Sequence, residues 1–144
     1  AQAQGEVKNL LDLLENKGKE VKFAIHPVAG RMPGHMNVLL AEVDVPYEQL
    51  YEMDTINPQF KKTDVAIVVG ACDVINPAAI EAPGTPIYGM PILRVEQAKH
   101  VIICNLDVKP GYSGVDNPLY LNDNVALLLG NASETVSNLA SAIM

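Results

Sequence analysis

A chain of 144 residues, of which 49% are apolar, is long enough for one domain with a single core and short for two. Its formal charge of −7 argues against a nucleic-acid-binding protein, because such binding depends on clustered lysines and arginines. No uninterrupted apolar run approaches the ~20 residues that a membrane-spanning helix needs. The sequence therefore predicts one soluble domain over residues 1–144, without an internal boundary.

The two cysteines, Cys72 and Cys104, are too few and too far apart for a disulfide framework or a zinc site. Each lies in or beside an apolar, strand-like run, so we interpret both as reduced structural thiols and expect no bound metal. No signal peptide is recognisable at the start of the chain. This favours a reducing compartment of the cytoplasmic type, with an organelle matrix as the alternative.

The first half of the chain predicts two helices and two strands. Apolar residues recur at helical spacing over residues 3–17, and Gly18 marks the end of that helix. Residues 20–25 alternate between polar and apolar as a strand does, and a loop rich in glycine and proline follows. A second helix is predicted over 34–42, with a short edge strand within 47–53.

The second half contains three continuous apolar runs, at 64–70, 100–105 and 125–130, which are typical of strands buried on both faces of a parallel sheet. A last amphipathic helix is predicted over 133–144. Strands alternating with crossover segments indicate an α/β fold with a Rossmann-like, open, mainly parallel sheet and helices on both faces. Because such sheets normally begin with a strand, we expect the natural polypeptide to extend upstream and to carry a first strand there.

Ligands of open α/β sheets bind beyond the carboxyl ends of the strands, where loops meet the N-termini of helices. Four segments are expected to share this edge: 27–34, 70–74, 105–112 and 130–132. None contains the usual Gly-x-Gly-x-x-Gly pattern for dinucleotides. Loop position therefore indicates the site more strongly than any short motif does.

Arg31 lies between Gly30 and Gly34 in the first of these loops. Glycines let the backbone approach an anion closely, and a planar guanidinium can clamp a diphosphate. An ordinary strand-to-helix loop with a solvated arginine fits the same spacing equally well.

Asp73 follows a predicted buried strand and is suited either to bind a polar ligand or to cap the next helix, and position alone favours the cap. His26, at a strand end before a proline, is interpreted as a structural histidine, and His35 is not favoured as a site residue either. Residues 110–114, with two glycines and one tyrosine, suit a hinged lid.

Residues 24–42 (AIHPVAGRMPGHMNVLLAE) resemble the most distinctive stretch of the NADP(H)-binding domain of proton-translocating nicotinamide nucleotide transhydrogenases. The similarity continues in order through VGACD at 69–73, NPAA at 76–79, PIYGMPIL at 86–93 and GYSGVDNPL at 111–119. It covers essentially the whole chain.

The resemblance implies a Rossmann-like domain that binds NADP(H) in reversed orientation and presents its nicotinamide for hydride transfer. The partners implied are a separate NAD(H)-binding domain and a proton-conducting membrane domain of the same enzyme, with the domain on the cytoplasmic or matrix face of that membrane. The chain would then be part of an oxidoreductase, and we do not expect it to turn over alone, because the cofactor carries the reaction.

The resemblance also implies the positions of the site residues. Residues 28–33 would contact the diphosphate and the nicotinamide side, Asp73 would lie near the nicotinamide and respond to coupling, residues 111–115 would form a lid, and residues 131–132 would contact the adenosine half. The full expected set is Val28, Ala29, Gly30, Arg31, Met32, Pro33, Gly70, Ala71, Cys72, Asp73, Val74, Gly89, Met90, Asn105, Leu106, Asp107, Val108, Lys109, Pro110, Gly111, Tyr112, Ser113, Gly114, Val115, Asn131 and Ala132.

The chain departs from the family pattern at the position of the 2′-phosphate. The family carries Lys-Arg-Ser after the strand that ends near Cys104, and this chain has Asn105, Leu106 and Asp107 there. An acidic side chain suits a ribose hydroxyl and repels a phosphate, although Lys109 is near enough in sequence to substitute. NAD(H) is therefore an alternative ligand, and a non-catalytic or NAD(H)-preferring regulatory domain is the alternative function.

The chain departs from the family pattern in three further ways. Cys72 stands where the family usually has asparagine, and Asn131 stands where it has aspartate. The family's Gly-Tyr-Gly turn, which forms part of the cofactor cradle, would lie upstream of residue 1. A stand-alone dehydrogenase is disfavoured, because no substrate domain fits within this length.

Overall fold

The computed structural model describes residues 4–27, 35–111 and 113–143 and has the predicted alternation of helices and strands. The elements are α1 (Gln4–Asn16), β1 (Phe23–Ile25), α2 (His35–Glu42), β2 (Leu50–Glu52), α3 (Met53–Ile56), β3 (Val65–Val69), α4 (Ala78–Glu81), β4 (His100–Asn105), β5 (Val125–Leu129) and α5 (Ala132–Ile143). Short 3-10 helices fill several of the connections, among them Asp73–Ile75 and Pro118–Leu121. Every predicted strand and long helix is present, with β1 three residues shorter at its start than predicted.

The strands form two parallel ladders. β1 pairs with β2, and β4 lies between β3 and β5 in a three-stranded sheet. The predicted α/β class and parallel pairing are confirmed. The expectation of one continuous sheet is refined, because the described strands divide into a sheet of two and a sheet of three.

Both faces of the three-stranded sheet are buried, which explains its continuous apolar runs. On one face, Ile67, Ile102 and Leu128 pack against Leu10 of α1 and Val136 of α5. On the opposite face, alternate strand residues join the main core with the buried side chains Met53, Ile56, Phe60, Ile75, Leu93, Val95 and Leu119. The alternation of side chains along a strand divides each run between these two cores.

The predicted ends of the first two helices agree with their backbone geometry. Gly18 has a φ of 80°, and the N–H of Lys19 donates to the carbonyl of Leu14 at 3.1 Å, which is a glycine-terminated helix end. Asp44 has a φ of 64° just after α2, where the chain turns toward Val45. Within the part of the chain that the structure describes, no helix combines the length and the apolar character needed to cross a membrane.

Candidate functional site

The loops that follow β3, β4 and β5 meet at one edge of the sheet. Gly70, the first residue after β3, donates its N–H to the carbonyl of Cys104 at 3.1 Å. Gly130, the first residue after β5, donates to the carbonyl of Asn105 at 3.0 Å. Because the three strands are parallel, segments 70–74, 105–111 and 130–132 come together as predicted.

The fourth predicted segment leaves the end of β1, and Val28, Ala29, Gly30, Arg31, Met32, Pro33 and Gly34 lie outside the described residues, as does Tyr112. His26 follows the end of β1. It is buried, and its Nε2 atom is 2.8 Å from the carbonyl oxygen of Pro91. This confirms the interpretation of His26 as a structural histidine. It also brings the end of β1 close to Pro91, the residue that follows Gly89 and Met90.

Asp73, in the loop after β3, hydrogen-bonds to Ser113 in the segment that follows β4. Its Oδ1 atom accepts a hydrogen bond from the Ser113 hydroxyl at 2.7 Å, and its Oδ2 atom accepts from the Ser113 N–H at 3.1 Å. The Ser113 hydroxyl in turn accepts from the N–H of Val115 at 3.1 Å. The alternative interpretation of Asp73 as a helix cap is wrong, because its carboxylate is directed to Ser113, 40 residues later, and the 3-10 helix Asp73–Ile75 has no side-chain cap.

Gly111 approaches the same carboxylate closely. A Cβ atom added at Gly111 would lie 2.8 Å from Oδ2 of Asp73, well inside van der Waals contact. Asp73 could move aside only by giving up its bonds to Ser113. The hydrogen bonds between Asp73 and Ser113 thus hold the loop against the end of β3. The lack of a side chain at position 111 allows this close approach.

We expect Gly111→Ala to destabilise the folded chain by roughly 1–2 kcal/mol, the usual cost of overpacking a close contact. Urea unfolding measures this change. Gly5→Ala in α1 is the matched control, because no atom of the described residues lies within 4 Å of the added Cβ and alanine favours a helix. Equal stability of the Gly111 and Gly5 variants would show that the loop does not press on Asp73.

Three asparagines that sequence reasoning did not select as site residues hydrogen-bond to distant segments of the chain. Asn76 is fully buried, and its Nδ2 atom donates to the carbonyls of Val115 at 3.3 Å and Asp116 at 3.2 Å. Asn117 donates to the carbonyl of Cys72 at 3.1 Å. Asn57 donates to the carbonyl of Ile92 and accepts from the N–H of Arg94, both at 2.9 Å.

Each of these asparagines precedes a proline in the sequence. The Oδ1 atoms of Asn76 and Asn117 accept from backbone N–H groups two residues later, as asparagine does in a local turn. The Asn-Pro dipeptide was therefore a usable signal for a turn, although it does not identify the distant partner of the side chain.

The last residue of β4 has its polar side chain turned into the protein. Asn105 is 8% exposed and donates to the carbonyl of Ala71 at 2.8 Å and to the hydroxyl of Tyr120 at 3.1 Å. Leu106, by contrast, is 73% exposed. Asp107 accepts at Oδ1 from the N–H of Lys109 at 2.9 Å.

Residues 105–108 offer no cationic side chain to a 2′-phosphate. Asn105 is neutral and faces inward, Leu106 is apolar, and Asp107 carries the same charge sign as the phosphate. Within segment 105–111 only Lys109 is cationic, and its side chain is exposed. Val108 and Pro110 are also exposed in this loop.

The loop after β5 begins α5. Gly130 has a φ of 137°, a conformation that favours glycine, and Asn131 accepts at Oδ1 from the N–H of Ser133 at 2.9 Å. Asn131 therefore caps the N-terminus of α5, where a helix presents free N–H groups. Ala132 is buried, so its side chain packs into the protein.

Gly89 and Met90 lie in the segment between α4 and β4. Gly89 has a φ of 89° and donates its N–H to the carbonyl of Ala79 at 2.7 Å. Met90 lines an open groove of about 450 Å³ together with side chains that include Met53, Lys61 and Arg94. Their contact with a nucleotide stays a prediction.

Both cysteines are free thiols, as expected from the sequence. Cys104 is fully buried in β4, and burial raises the pKa of its thiol. Cys72 is half-buried in the loop after β3, with the Tyr120 hydroxyl 3.5 Å from its sulfur. Ala71, Cys72, Asp73 and Val74 are all half-buried at this edge, and Gly70 is exposed.

Comparison with known proteins gives a consistent result over nearly the whole chain. A model of the NAD(P) transhydrogenase beta subunit family matches residues 1–142. The chain is 50% identical over 143 residues to the NAD(P) transhydrogenase subunit beta of Rhodospirillum rubrum, and a second sequence of that subunit, from a named strain of the species, matches equally well.

The alignment covers 99% of this chain and 31% of the relative, so the chain spans about a third of the length of that subunit. A family match over residues 1–142, on an α/β fold with parallel sheets, agrees with the resemblance found in the sequence. The chain belongs to the NAD(P) transhydrogenase beta subunit family.

Proposed function

We propose that this chain binds a nicotinamide dinucleotide across the loops that follow its strands and presents the nicotinamide for hydride exchange with a second dinucleotide on a partner domain. In the whole enzyme this exchange would be coupled to proton movement by a membrane domain. The observation that carries the proposal is the meeting of segments 70–74, 105–111 and 130–132 at one sheet edge, in a chain of the transhydrogenase family.

The proposed roles are those of orientation and electrostatics. Asp73 would position the lid through Ser113, and the N-terminus of α5 beside Asn131 would offer N–H groups to the ligand. Arg31 would clamp the diphosphate from the loop after β1. The bound nucleotide supplies the hydride chemistry, and the protein holds it in a reactive geometry.

NADP(H) is the ligand that the family resemblance implies, and the loop after β4 supports NAD(H) as a second candidate. An exposed Leu106 and an acidic Asp107 stand where a 2′-phosphate would require cations. A carboxylate suits the 2′-hydroxyl of the NAD(H) ribose. We therefore propose that discrimination in favour of NADP(H) is weaker here than in the family.

A paired calorimetric titration of NADPH and NADH against this chain tests both proposals. We expect both ligands to bind, with affinities within about tenfold of each other, since no pair of charge-assisted bonds distinguishes them. Lys109→Ala is the matched variant, because that lysine is the cation nearest in sequence. We expect it to reduce NADPH affinity by threefold or less, roughly the effect of an exposed charge pair.

The titration distinguishes failure of the proposed function from failure of the proposed nucleotide preference. Failure of the chain to bind either nucleotide would contradict the proposed function. Strong NADPH preference that survives Lys109→Ala would leave the function intact and contradict the altered preference, since other groups would then hold the phosphate.

A further inference from the structure

The hydroxyl of Tyr120 lies between two of the strand-end loops although Tyr120 belongs to neither. Tyr120 is in the 3-10 helix Pro118–Leu121, which precedes β5. Its hydroxyl is 3.1 Å from Nδ2 of Asn105, the last residue of β4, and 3.5 Å from the sulfur of Cys72 in the loop after β3. Three separate segments of the chain thus meet at one phenol oxygen.

The direction of these hydrogen bonds follows from their donors. Nδ2 of Asn105 carries two hydrogens, and it donates one to the carbonyl of Ala71 and one to the phenol oxygen. The phenol hydrogen is therefore free to point at the sulfur of Cys72. Burial, followed by the contact with Cys72, raises the pKa of Tyr120 to about 12, so the hydroxyl keeps this proton at every ordinary assay pH.

The hydroxyl and the ring of Tyr120 have separable contacts. The ring packs on the main core, and Asn117 independently ties the same 3-10 helix to the carbonyl of Cys72. Among the described residues, the Tyr120 hydroxyl is the group of this helix that hydrogen-bonds the side chains of Asn105 and Cys72. Tyr120→Phe therefore removes the connection and leaves the core contacts in place.

Asn105 is held by this connection in an orientation that leaves its Oδ1 atom buried without a hydrogen-bond partner among the residues that the structure describes. Turning the amide over would place Oδ1 against the carbonyl of Ala71, where two acceptors repel each other. The two bonds made by Nδ2 thus determine how the end of β4 is oriented and where the exposed residues Leu106 and Asp107 begin.

We propose that Tyr120 is a positioning residue of the nucleotide site, which sets the spacing between the loop that carries Asp73 and the loop that carries Asp107. The inference rests on the proposed function. It assigns to Tyr120 and Asn105 a role in ligand affinity that acts through the loops, without contact between Tyr120 and the nucleotide. Cys72 completes the connection as the acceptor of the phenol hydrogen.

The test compares Tyr120→Phe with Tyr47→Phe, a control at a tyrosine that is 80% exposed. NADH and NADPH affinities are measured by calorimetry on the full 144-residue chain, alongside the thermal midpoint. We expect Tyr120→Phe to weaken nucleotide binding by roughly 3- to 10-fold, the effect of one neutral hydrogen bond, and to leave the thermal midpoint within a few degrees. Tyr47→Phe is expected to change neither quantity.

Thiol labelling gives an independent readout of the same connection. Cys104 is fully buried and Cys72 is half-buried, so reaction of the folded chain with the disulfide reagent DTNB reports on Cys72. We expect labelling to be faster in Tyr120→Phe than in the unaltered chain. We also expect saturating nucleotide to slow labelling less in the variant, because the loops are no longer held at one spacing.

If Tyr120→Phe does not fold, a pair of Cys72 variants tests the same positioning role. Cys72→Ala removes the acceptor of the phenol hydrogen and should lose affinity as Tyr120→Phe does, whereas Cys72→Ser keeps an acceptor and is expected to lose less affinity than Cys72→Ala. Equal nucleotide binding by the unaltered chain and by Tyr120→Phe, or by both Cys72 variants, would overturn the inference. Absence of binding by the unaltered chain would instead refute the proposed function, and the inference with it.

Discussion

Asp73→Ala is expected to weaken dinucleotide binding by about tenfold or more and to loosen segment 111–115, the proposed lid. The carboxylate accepts two hydrogen bonds from Ser113, and bonds to a charged acceptor contribute about 1.5–3 kcal/mol each when protected from solvent. Asp73 is half-buried, so the lower part of that range applies. Calorimetric titration with NADPH and NADH measures the change.

Two further variants test whether the loss of affinity in Asp73→Ala comes from the carboxylate charge or from the lost hydrogen bonds to Ser113. Asp73→Asn keeps one acceptor oxygen and is expected to lose less affinity than Asp73→Ala. Asp116→Ala is the control, because Asp116 is exposed in the neighbouring segment. If Asp73→Ala bound both nucleotides as tightly as the Asp116 variant, the connection between Asp73 and Ser113 would have no part in ligand binding.

Asn76→Ala is expected to cause the largest loss of stability among these variants, about 3 kcal/mol in the free energy of unfolding. The side chain is fully buried and makes three hydrogen bonds, to the carbonyls of Val115 and Asp116 and from the N–H of Ala78. Alanine leaves the N–H of Ala78 buried without that acceptor. Urea denaturation followed by circular dichroism measures the loss.

The control for this loss is Asn122→Ala, at an exposed asparagine before β5. Asn76→Asp extends the series, because a carboxylate facing two carbonyl oxygens should destabilise the fold at least as much as alanine does. A change below about 1 kcal/mol for Asn76→Ala, near the value of a single hydrogen bond, would show that water replaces the lost contacts.

Local pattern was sufficient to predict the elements of this fold. The apolar runs of β3, β4 and β5 were predicted within a residue of their observed ends, because a strand buried on both faces needs apolar side chains at successive positions. Gly18 ends the first helix as predicted, because glycine adopts a positive φ at little steric cost. Parallel pairing, and with it the common edge of the loops, followed from the order of these elements.

The sequence alone also determined the family of the chain, through stretches such as residues 24–42 that span it in order. It could not determine which polar side chains face a ligand. Asn105 ends an apolar run, and its contact with the cofactor stays a prediction; the structure shows its amide buried against Ala71 and Tyr120.

Only the tertiary structure decided the partners of Asp73, Asn76 and Tyr120. Their hydrogen bonds join residues that are 39 to 48 positions apart in the chain for the pairs with Ser113, Val115 and Cys72. Hydrophobic periodicity extends over one helix or one strand, so it carries no information about which loops meet after the sheet has formed. Those contacts arise from the pairing of β3, β4 and β5, whose parallel order brings the distant loops to the same edge.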